Sequence, residues 1–376
     1  MAWVEEGIQR SARWLSESRP APPARLIPVD DTMTADRAYS LACQGTAMLW
    51  RGDFHNARQL LAAMARRADR KRRAGGRHGE ESLAPPAAFH RYRMDAARRA
   101  HVLGMLLVEL EPDYSMRLGR APDVGAALEA AHGPADTSSL IPLHELLGII
   151  GAHEWRKKGV EVPALGGRIH PHYGVFSPIR QEYIELVATT PLPSRDLAFD
   201  IGTGTGVLAA VLARRGVARV IGTDNEPRAV ACARENVLSL GLADQVEVVE
   251  SDLFPPEGHP QRAPLIVCNP PWIPAKAATS LERAVYDPKG RMLGRFLAGL
   301  PDHLTPSGEA WLVLSDLAER LGLRTREELL STFDAAGLQV MEKLDARPAH
   351  RRATDESDPL HPFRQQETTS LWRLGV

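Results

Sequence analysis

Cysteine is scarce. Cys43, Cys232 and Cys268 are the only three in 376 residues, and no two form a Cys-x-x-Cys pair. That spacing argues against a disulfide framework or a cysteine-built zinc site and fits a reducing compartment. No window approaches the roughly 18 consecutive apolar residues that a membrane-spanning helix needs. The start, Met1-Ala2-Trp3-Val4-Glu5-Glu6, lacks the basic residues and apolar run of a secretory leader. A soluble, cytoplasmic protein with no membrane association is expected. An excess of one charge is missing too: 46 Lys and Arg against 47 Asp and Glu leave a net charge of -1. The whole molecule is therefore no obvious polyanion binder, and local charge has to be read separately.

What is present is length. A chain of 376 residues exceeds what one hydrophobic core usually serves, so two domains are expected. Residues 1–163 read as an all-α domain. Apolar residues recur at helical spacing from Thr34 to Arg73 (Ala38, Leu41, Met48, Leu49, Leu60, Leu61, Met64), and similar patterns cover Phe89 to Leu110 and Leu140 to Trp155. The glycine-rich stretch 74–79 reads as a loop between the first two. Residues 164–376 read differently. Short apolar runs alternate with amphipathic stretches, the pattern of a parallel sheet covered by helices. Strands are expected at Leu197–Phe199, Ala218–Gly222, Val246–Val249, Leu265–Cys268 and Trp311–Leu314. A closing pair is expected at Val340–Leu344 and Thr369–Leu374, and a joining segment at Ala164–Thr190.

The strongest local signal is Asp200-Ile201-Gly202-Thr203-Gly204-Thr205-Gly206, placed where the first strand turns into a helix. Glycines there allow a tight turn and a close backbone approach to a ligand. Their spacing is Gly-x-Gly-x-Gly, not the dinucleotide Gly-x-Gly-x-x-Gly. Asp224 follows at the end of the second strand, where a carboxylate can accept from ribose hydroxyls. Asp252, just past the third strand, is placed to accept from an adenine amino group, with Leu253 and Phe254 against the ring. The fourth strand ends in Asn269-Pro270-Pro271-Trp272. Two prolines stiffen that backbone, so the Asn269 amide oxygen and the Pro270 carbonyl can accept both hydrogens of an –NH2 group. Trp272 can stack on a flat group or favour positive charge.

Together these motifs resemble the class I S-adenosylmethionine (SAM)-dependent methyltransferases. Within them, the chain is similar to the small-domain group that contains release-factor glutamine methyltransferases and ribosomal RNA guanine-N2 methyltransferases. The resemblance covers about residues 165 to 376. It implies a Rossmann-like α/β fold with a seven-stranded sheet. It also implies SAM contacts from Asp200, Gly202, Thr203, Gly204, Gly206, Asp224, Asn225, Asp252, Leu253 and Asn269. Asn269, Pro270 and Trp272 would be catalytic, with Phe176, Pro271 and Trp272 toward the acceptor. Tyr173-Gly174-Val175-Phe176-Ser177-Pro178 matches a segment that covers the SAM pocket in these families. Its Gly-Val-Phe-Ser is similar to the guanine-N2 enzymes, and Pro178-Ile179-Arg180 partly matches the Pro-Arg of the glutamine enzymes. Glu282, Asp287 and Gly290 loosely echo acidic and glycine positions of the latter.

The implied reaction is methyl transfer to a planar amide or amine nitrogen, with no metal and no covalent nucleophile. Its acceptor is read first as a protein glutamine side chain. An RNA base amine (guanine-N2 or adenine-N6) and a small-molecule amine stand as alternatives. Residues 66–99 hold eleven Lys and Arg against four Asp and Glu. That patch could meet RNA phosphates or be a solvated helix face, and its aromatic content is thin. His170 and His172 flank Pro171 without a third ligand nearby, which favours a structural role over a metal site. The segment His350–Phe363 is either a lid at the substrate mouth or a long hairpin loop.

Overall fold

The computed structural model describes residues 1–18, 21–76, 84–348, 355–356 and 358–376. The chain divides into two compact units, Met1–Glu154 and Trp155–Val376.

The first unit is not all-α. Strands β1 (Ala2–Glu5) and β2 (Ile8–Ser11) form a hairpin. Strands β3 (Arg13–Trp14), β4 (Arg25–Val29), β5 (Thr46–Trp50), β6 (Leu106–Leu110) and β7 (Ser139–Pro142) form a five-stranded mixed sheet in the order β3-β7-β6-β5-β4. Helices α1 (Ala35–Cys43), α2 (Phe54–Gly76), α3 (Pro85–Leu103), α4 (Gly125–His132) and α5 (Leu143–Lys158) connect and follow these strands. The apolar run read as one helix from Thr34 to Arg73 is thus α1, β5 and α2. Its centre, Thr46-Ala47-Met48-Leu49-Trp50, is buried at every position. A strand covered on both faces reads as a continuous apolar run, and short runs of that kind do not distinguish strand from buried helix. The same physics hid β6 behind α3, and β7 in front of α5.

The second unit begins earlier than expected, at Trp155. It opens on a hairpin, β8 (Val160–Val162) and β9 (Gly167–Ile169), and helix α6 (Gln181–Thr189). Val162, Leu165, Ile169, Tyr183, Ile184 and Val187 belong to its core. Ala164–Thr190 is therefore part of this unit and not a joining segment.

Its sheet contains β10 (Leu197–Ile201), β11 (Arg219–Asp224), β12 (Val246–Glu250), β13 (Ala263–Cys268), β14 (Leu304–Ser315), β15 (Gln339–Ala346) and β16 (Thr369–Gly375). The order is β12-β11-β10-β13-β14-β16-β15, with β16 antiparallel to both neighbours. The seven expected strands are all present. Period-two alternation splits their side chains between two cores. Ala198, Leu265, Val267, Trp311 and Val313 face α6, α7 (Val207–Arg214) and α8 (Pro227–Ser239). Phe199, Ile201, Ile266, Leu312 and Leu314 face the opposite layer, with α9 (Ser280–Arg283) short and α10 (Arg291–His303), α11 (Leu317–Arg320), α12 (Arg326–Ala335) and α13 (His361–Arg364) completing the chain; Phe296 and Leu297 of α10 and Leu329 and Phe333 of α12 pack here. Thr325 caps α12 in a reciprocal box with Glu328, which fixes where that helix starts.

Candidate active site

Strand register gathers the site. Ile201 of β10 pairs with Thr223 of β11 and with Cys268 of β13. The next residue on each strand therefore falls in one row at the carboxyl edge: Gly202, Asp224 and Asn269. Asp224 pairs with Glu250 of β12, so Ser251-Asp252-Leu253 leaves the sheet one step beyond that row. A carboxyl edge of parallel strands is where open α/β sheets take their ligands.

The three loop glycines do different work. All have positive φ (71°, 56° and 80°), where a side chain is strained. A Cβ on Gly202 or Gly204 would meet no atom nearer than 3.8 Å and 3.9 Å, ordinary van der Waals contact, so neither position is crowded. A Cβ on Gly206 would lie 3.2 Å from the Ala233 Cβ, so the third glycine lets α7 begin against α8. Gly222 of β11 is a further close approach that the motif did not reveal. A Cβ there would sit 2.9 Å from Thr203 Oγ1.

Asp200 lies beneath this loop, only 1% exposed. Its Oδ2 accepts from the Thr203 hydroxyl (2.7 Å) and from the Ala209 N–H of α7 (3.0 Å). It ties strand, turn and helix together, so it shapes the cradle from below. Burial pushes its carboxyl up to about 6, against the pull of those two hydrogen bonds. A folded value above the ordinary 3.8 means the fold prefers the protonated acid. Stability from this group is full below pH 3.8 and lost as the pH climbs through about 6, a change of about 3 kcal/mol. Asp200→Asn keeps an acceptor for both donors and cannot ionise. Urea unfolding at pH 4 and pH 7 should show the wild type losing this component and the variant lacking the loss. Equal pH slopes for the two proteins would contradict the burial argument.

Asp224 Oδ2 accepts from the Gly204 N–H and Oδ1 from the Glu226 N–H, both 3.0 Å, and the Asn225 N–H is also directed at this carboxylate. An ionised carboxylate offers about four lone-pair sites, so acceptor capacity is left for a ribose hydroxyl. Burial raises its carboxyl above the usual range. Asn225 beside it is exposed. Asp252 is a surface residue whose Oδ2 accepts from Arg295 Nη2 (2.9 Å). An exposed pair is worth about 0–1 kcal/mol, too little to oppose recruitment of the carboxylate elsewhere. Leu253 has φ of 83°. That left-handed backbone costs a non-glycine residue about 1–2 kcal/mol. Its carbonyl accepts from the Thr223 hydroxyl, which holds the turn. Phe254 departs from expectation: it stacks on His303 at 3.8 Å and on Phe296 at 6.0 Å, as part of the core layer beneath.

In the Asn269-Pro270-Pro271-Trp272 segment, Pro270 is buried and the other three are half-buried. The Trp272 indole N–H donates to Asn269 Oδ1 at 2.8 Å. The amide oxygen is thereby oriented, with one lone pair left. The Arg180 guanidinium lies over the Trp272 ring, 4.4 Å from its centroid. The positive charge that Trp272 favours is thus supplied by the chain itself.

The segment 170–176 is stitched to α8. Val175 packs on Ala229 and Cys232. Asn236, 2% exposed, accepts from the His170 N–H (2.7 Å) and donates to the Thr205 carbonyl (3.1 Å). One buried amide thus links this segment to the glycine loop, which periodicity had registered only as a helix position. Phe176 is half-buried. His170 Nδ1 lies 2.6 Å from the Arg156 carbonyl and His172 Nε2 lies 2.8 Å from Glu235 Oε2. Both imidazoles are engaged by protein groups, and among the described residues no cluster could hold a metal ion. Glu282 takes the Ala278 N–H, and Asp287 caps α10 through the Met292 and Leu293 N–H groups. These two acids serve local turns.

Of the basic patch, Arg67 pairs with Asp36 (2.6 Å) and Arg99 with Asp69 (3.0 Å). The side chains of Lys71, Arg72 and Arg73, and all of Arg77, lie outside the described residues. In the 350–363 stretch, residues 350–354 and 357 also lie outside them, whereas Leu360 is buried and Arg364 pairs with Asp358 (2.9 Å). No helix among the described residues is long and apolar enough to cross a membrane.

The residues fit SAM. Gly202 and Gly204 are uncrowded, backbone N–H groups orient the Asp224 carboxylate, and apolar Leu253 follows β12. Comparison with known proteins agrees. Residues 167–334 match the family described as "Methyltransferase small domain". A release factor glutamine methyltransferase of Cereibacter sphaeroides is 36% identical over 163 residues, covering 39% of this chain and 55% of that protein. A protein of the same name from Geobacter sulfurreducens is 32% identical, covering 39% and 52%. A tRNA1(Val) (adenine(37)-N6)-methyltransferase of Bacteroides fragilis is 30% identical, covering 39% and 66%. The matched stretch contains the glycine loop, Asp224 and the Asn-Pro-Pro-Trp segment, so over residues 167–334 the second unit is similar to the methyltransferase small domain. The chain spans about half the length of the curated relatives first matched, the two glutamine methyltransferases.

Proposed function

We propose that this chain transfers a methyl group from SAM to a planar nitrogen, and that the nitrogen is the side-chain amide of a protein glutamine. The observation that carries the reading is the common row of Gly202, Asp224 and Asn269, with the Asn269 oxygen already oriented by Trp272. The names of the two glutamine methyltransferases support the choice of acceptor. SAM, when bound, supplies a methyl group activated on a sulfonium. The chain's own residues do the rest. Asp224 accepts from the ribose hydroxyls, and Gly202 and Gly204 keep the cradle clear. The free lone pair of Asn269 Oδ1 and the Pro270 carbonyl accept the two acceptor N–H groups. Those protons grow more acidic as the nitrogen gives up its lone pair, so both hydrogen bonds strengthen in the transition state, and that difference is what lowers the barrier. No metal is required. The first unit, together with the residues up to 163, selects the partner in this reading, and the reaction takes place in the cytoplasm.

An exocyclic base amine is the second reading, favoured by the Bacteroides fragilis relative. Methyl-labelled SAM incubated with the protein and cell extract separates the two. Label lost on protease treatment and retained on ribonuclease treatment is the expected result. Label lost with ribonuclease and surviving protease would overturn the glutamine acceptor.

A further inference from the structure

Behind Trp272 sits a buried ion network, of which the sequence motifs touched only Arg180. Arg180, with its side chain 13% exposed, donates through Nε to Glu182 Oε1 (2.6 Å), through Nη1 to Glu367 Oε1 (2.9 Å) and through Nη2 to Thr369 Oγ1 (3.0 Å). Glu182 and Glu367 are 7% and 0% exposed at the side chain. Thr369 in turn donates to Glu182 Oε1 (3.3 Å), and Ser315, at the end of β14, donates to Glu367 Oε1 (2.5 Å). All five N–H donors of a guanidinium lie in its plane, and here the three partners grip the edge of that plane. Its face is left for Trp272, at 4.4 Å. The plane cannot rotate without breaking several of these bonds, so the indole packed on it cannot rotate either.

Stability does not explain this arrangement. Two carboxylates buried around one guanidinium pay a large desolvation cost, and apolar residues of similar volume commonly replace such clusters without loss. Among the described residues the second, buried oxygen of Glu367 has no hydrogen-bond partner, an added penalty for an unmade hydrogen bond. What the network does achieve is geometric. It connects the end of β14 and the start of β16 with the N-terminus of α6, and presents one flat cation to one flat ring.

We propose that Arg180 is a positioning residue for the acceptor nitrogen. Held by Glu182, Glu367 and Thr369, it fixes the plane of Trp272, whose indole N–H fixes the Asn269 oxygen. Arg180 touches neither SAM nor acceptor. It acts through two side chains, and its loss lets the Asn269 amide turn. The inference rests on the reading of Asn269 as the acceptor grip.

The test uses the full chain as Arg180→Met, Arg180→Lys, Trp272→Phe and the Arg180→Met/Trp272→Phe double variant. Proton NMR of tryptophan-15N-labelled protein, with Trp272 assigned by its disappearance in Trp272→Phe, follows the indole N–H directly and needs no acceptor. In the wild type this proton should exchange at least tenfold more slowly than an exposed indole. Arg180→Met should remove that protection, and Arg180→Lys should restore part of it. SAM affinity by calorimetry should stay within about threefold in every variant, because none of the network's hydrogen bonds involves the glycine loop or Asp224. Label transfer from SAM to the extract fraction should fall at least tenfold in Arg180→Met and in Trp272→Phe, and no further in the double variant, as for residues acting in one chain of contacts. Unchanged indole exchange in Arg180→Met, or losses that multiply in the double variant, would overturn the proposal. If Arg180→Met does not fold, Arg180→Lys and Trp272→Phe decide on the same readouts. A wild type that labels no acceptor would remove the functional reading, while the indole exchange would still decide whether Arg180 holds Trp272.

Discussion

Replacing Asn269 by Ala should lower methyl transfer by about 10²–10³-fold while leaving the Kd for SAM within a few-fold, the scale for losing a group that acts on developing charge. The asymmetry is the informative part. Asn269 stands in the row with Gly202 and Asp224, and its oxygen is held by Trp272. Its removal therefore takes away a hydrogen bond that matters only as the acceptor nitrogen reacts. Initial rates with labelled SAM, beside a calorimetric titration of the same preparation, measure both quantities. Transfer that persists in the variant would remove Asn269 from the acceptor site. Transfer and SAM affinity falling together would instead mark it as a cofactor residue.

Asp224→Ala should have the opposite profile. Charge-assisted hydrogen bonds to a ribose are worth about 1.5–3 kcal/mol, so the Kd should rise roughly 10- to 150-fold. Transfer should recover at high SAM concentration. The variant also leaves the Gly204 and Glu226 N–H groups without their acceptor, so part of the loss will come from a looser turn. Asp224→Asn separates the two effects: it keeps an acceptor oxygen for one N–H and removes the charge. Unchanged affinity in both variants would exclude Asp224 from the ribose site.

The second unit was legible because its physics is local. Each strand is a short apolar run followed by a turn residue and an amphipathic helix, and that alternation can be read without knowing any contacts. Val246–Glu250 and Ala263–Cys268 differ from the expected bounds by two residues at most. The first unit was not legible in the same way. Met48 and Leu49 satisfy a helical spacing only because neighbouring helices supply the flanking apolar positions; what makes them a strand is pairing with Leu106 and Leu107 nearly sixty residues on. Nothing local encodes that register.

The site divides along the same line. Gly202, Gly204, Asp224 and Asn269 were readable because each follows a strand at a characteristic offset. Phe254 was misplaced because adjacency to Asp252 in sequence does not fix which way a ring turns, and α10 offered it Phe296 and His303. Arg180, Glu182 and Glu367 form one network across more than 180 residues of sequence. Only the pair Arg180-x-Glu182, at the start of α6, left any local trace. Asn236 left none: an asparagine on the buried face of α8 becomes notable once His170 and Thr205 are seen beside it.

A diffraction map of the full chain grown with SAM addresses the arrangement most directly. The ribose hydroxyls should lie within hydrogen-bonding distance of both Asp224 oxygens, with the sulfonium methyl directed toward the Asn269 amide. Density for the cofactor away from the Gly202–Asp224–Asn269 row, or an Asn269 side chain turned from the methyl, would contradict the account.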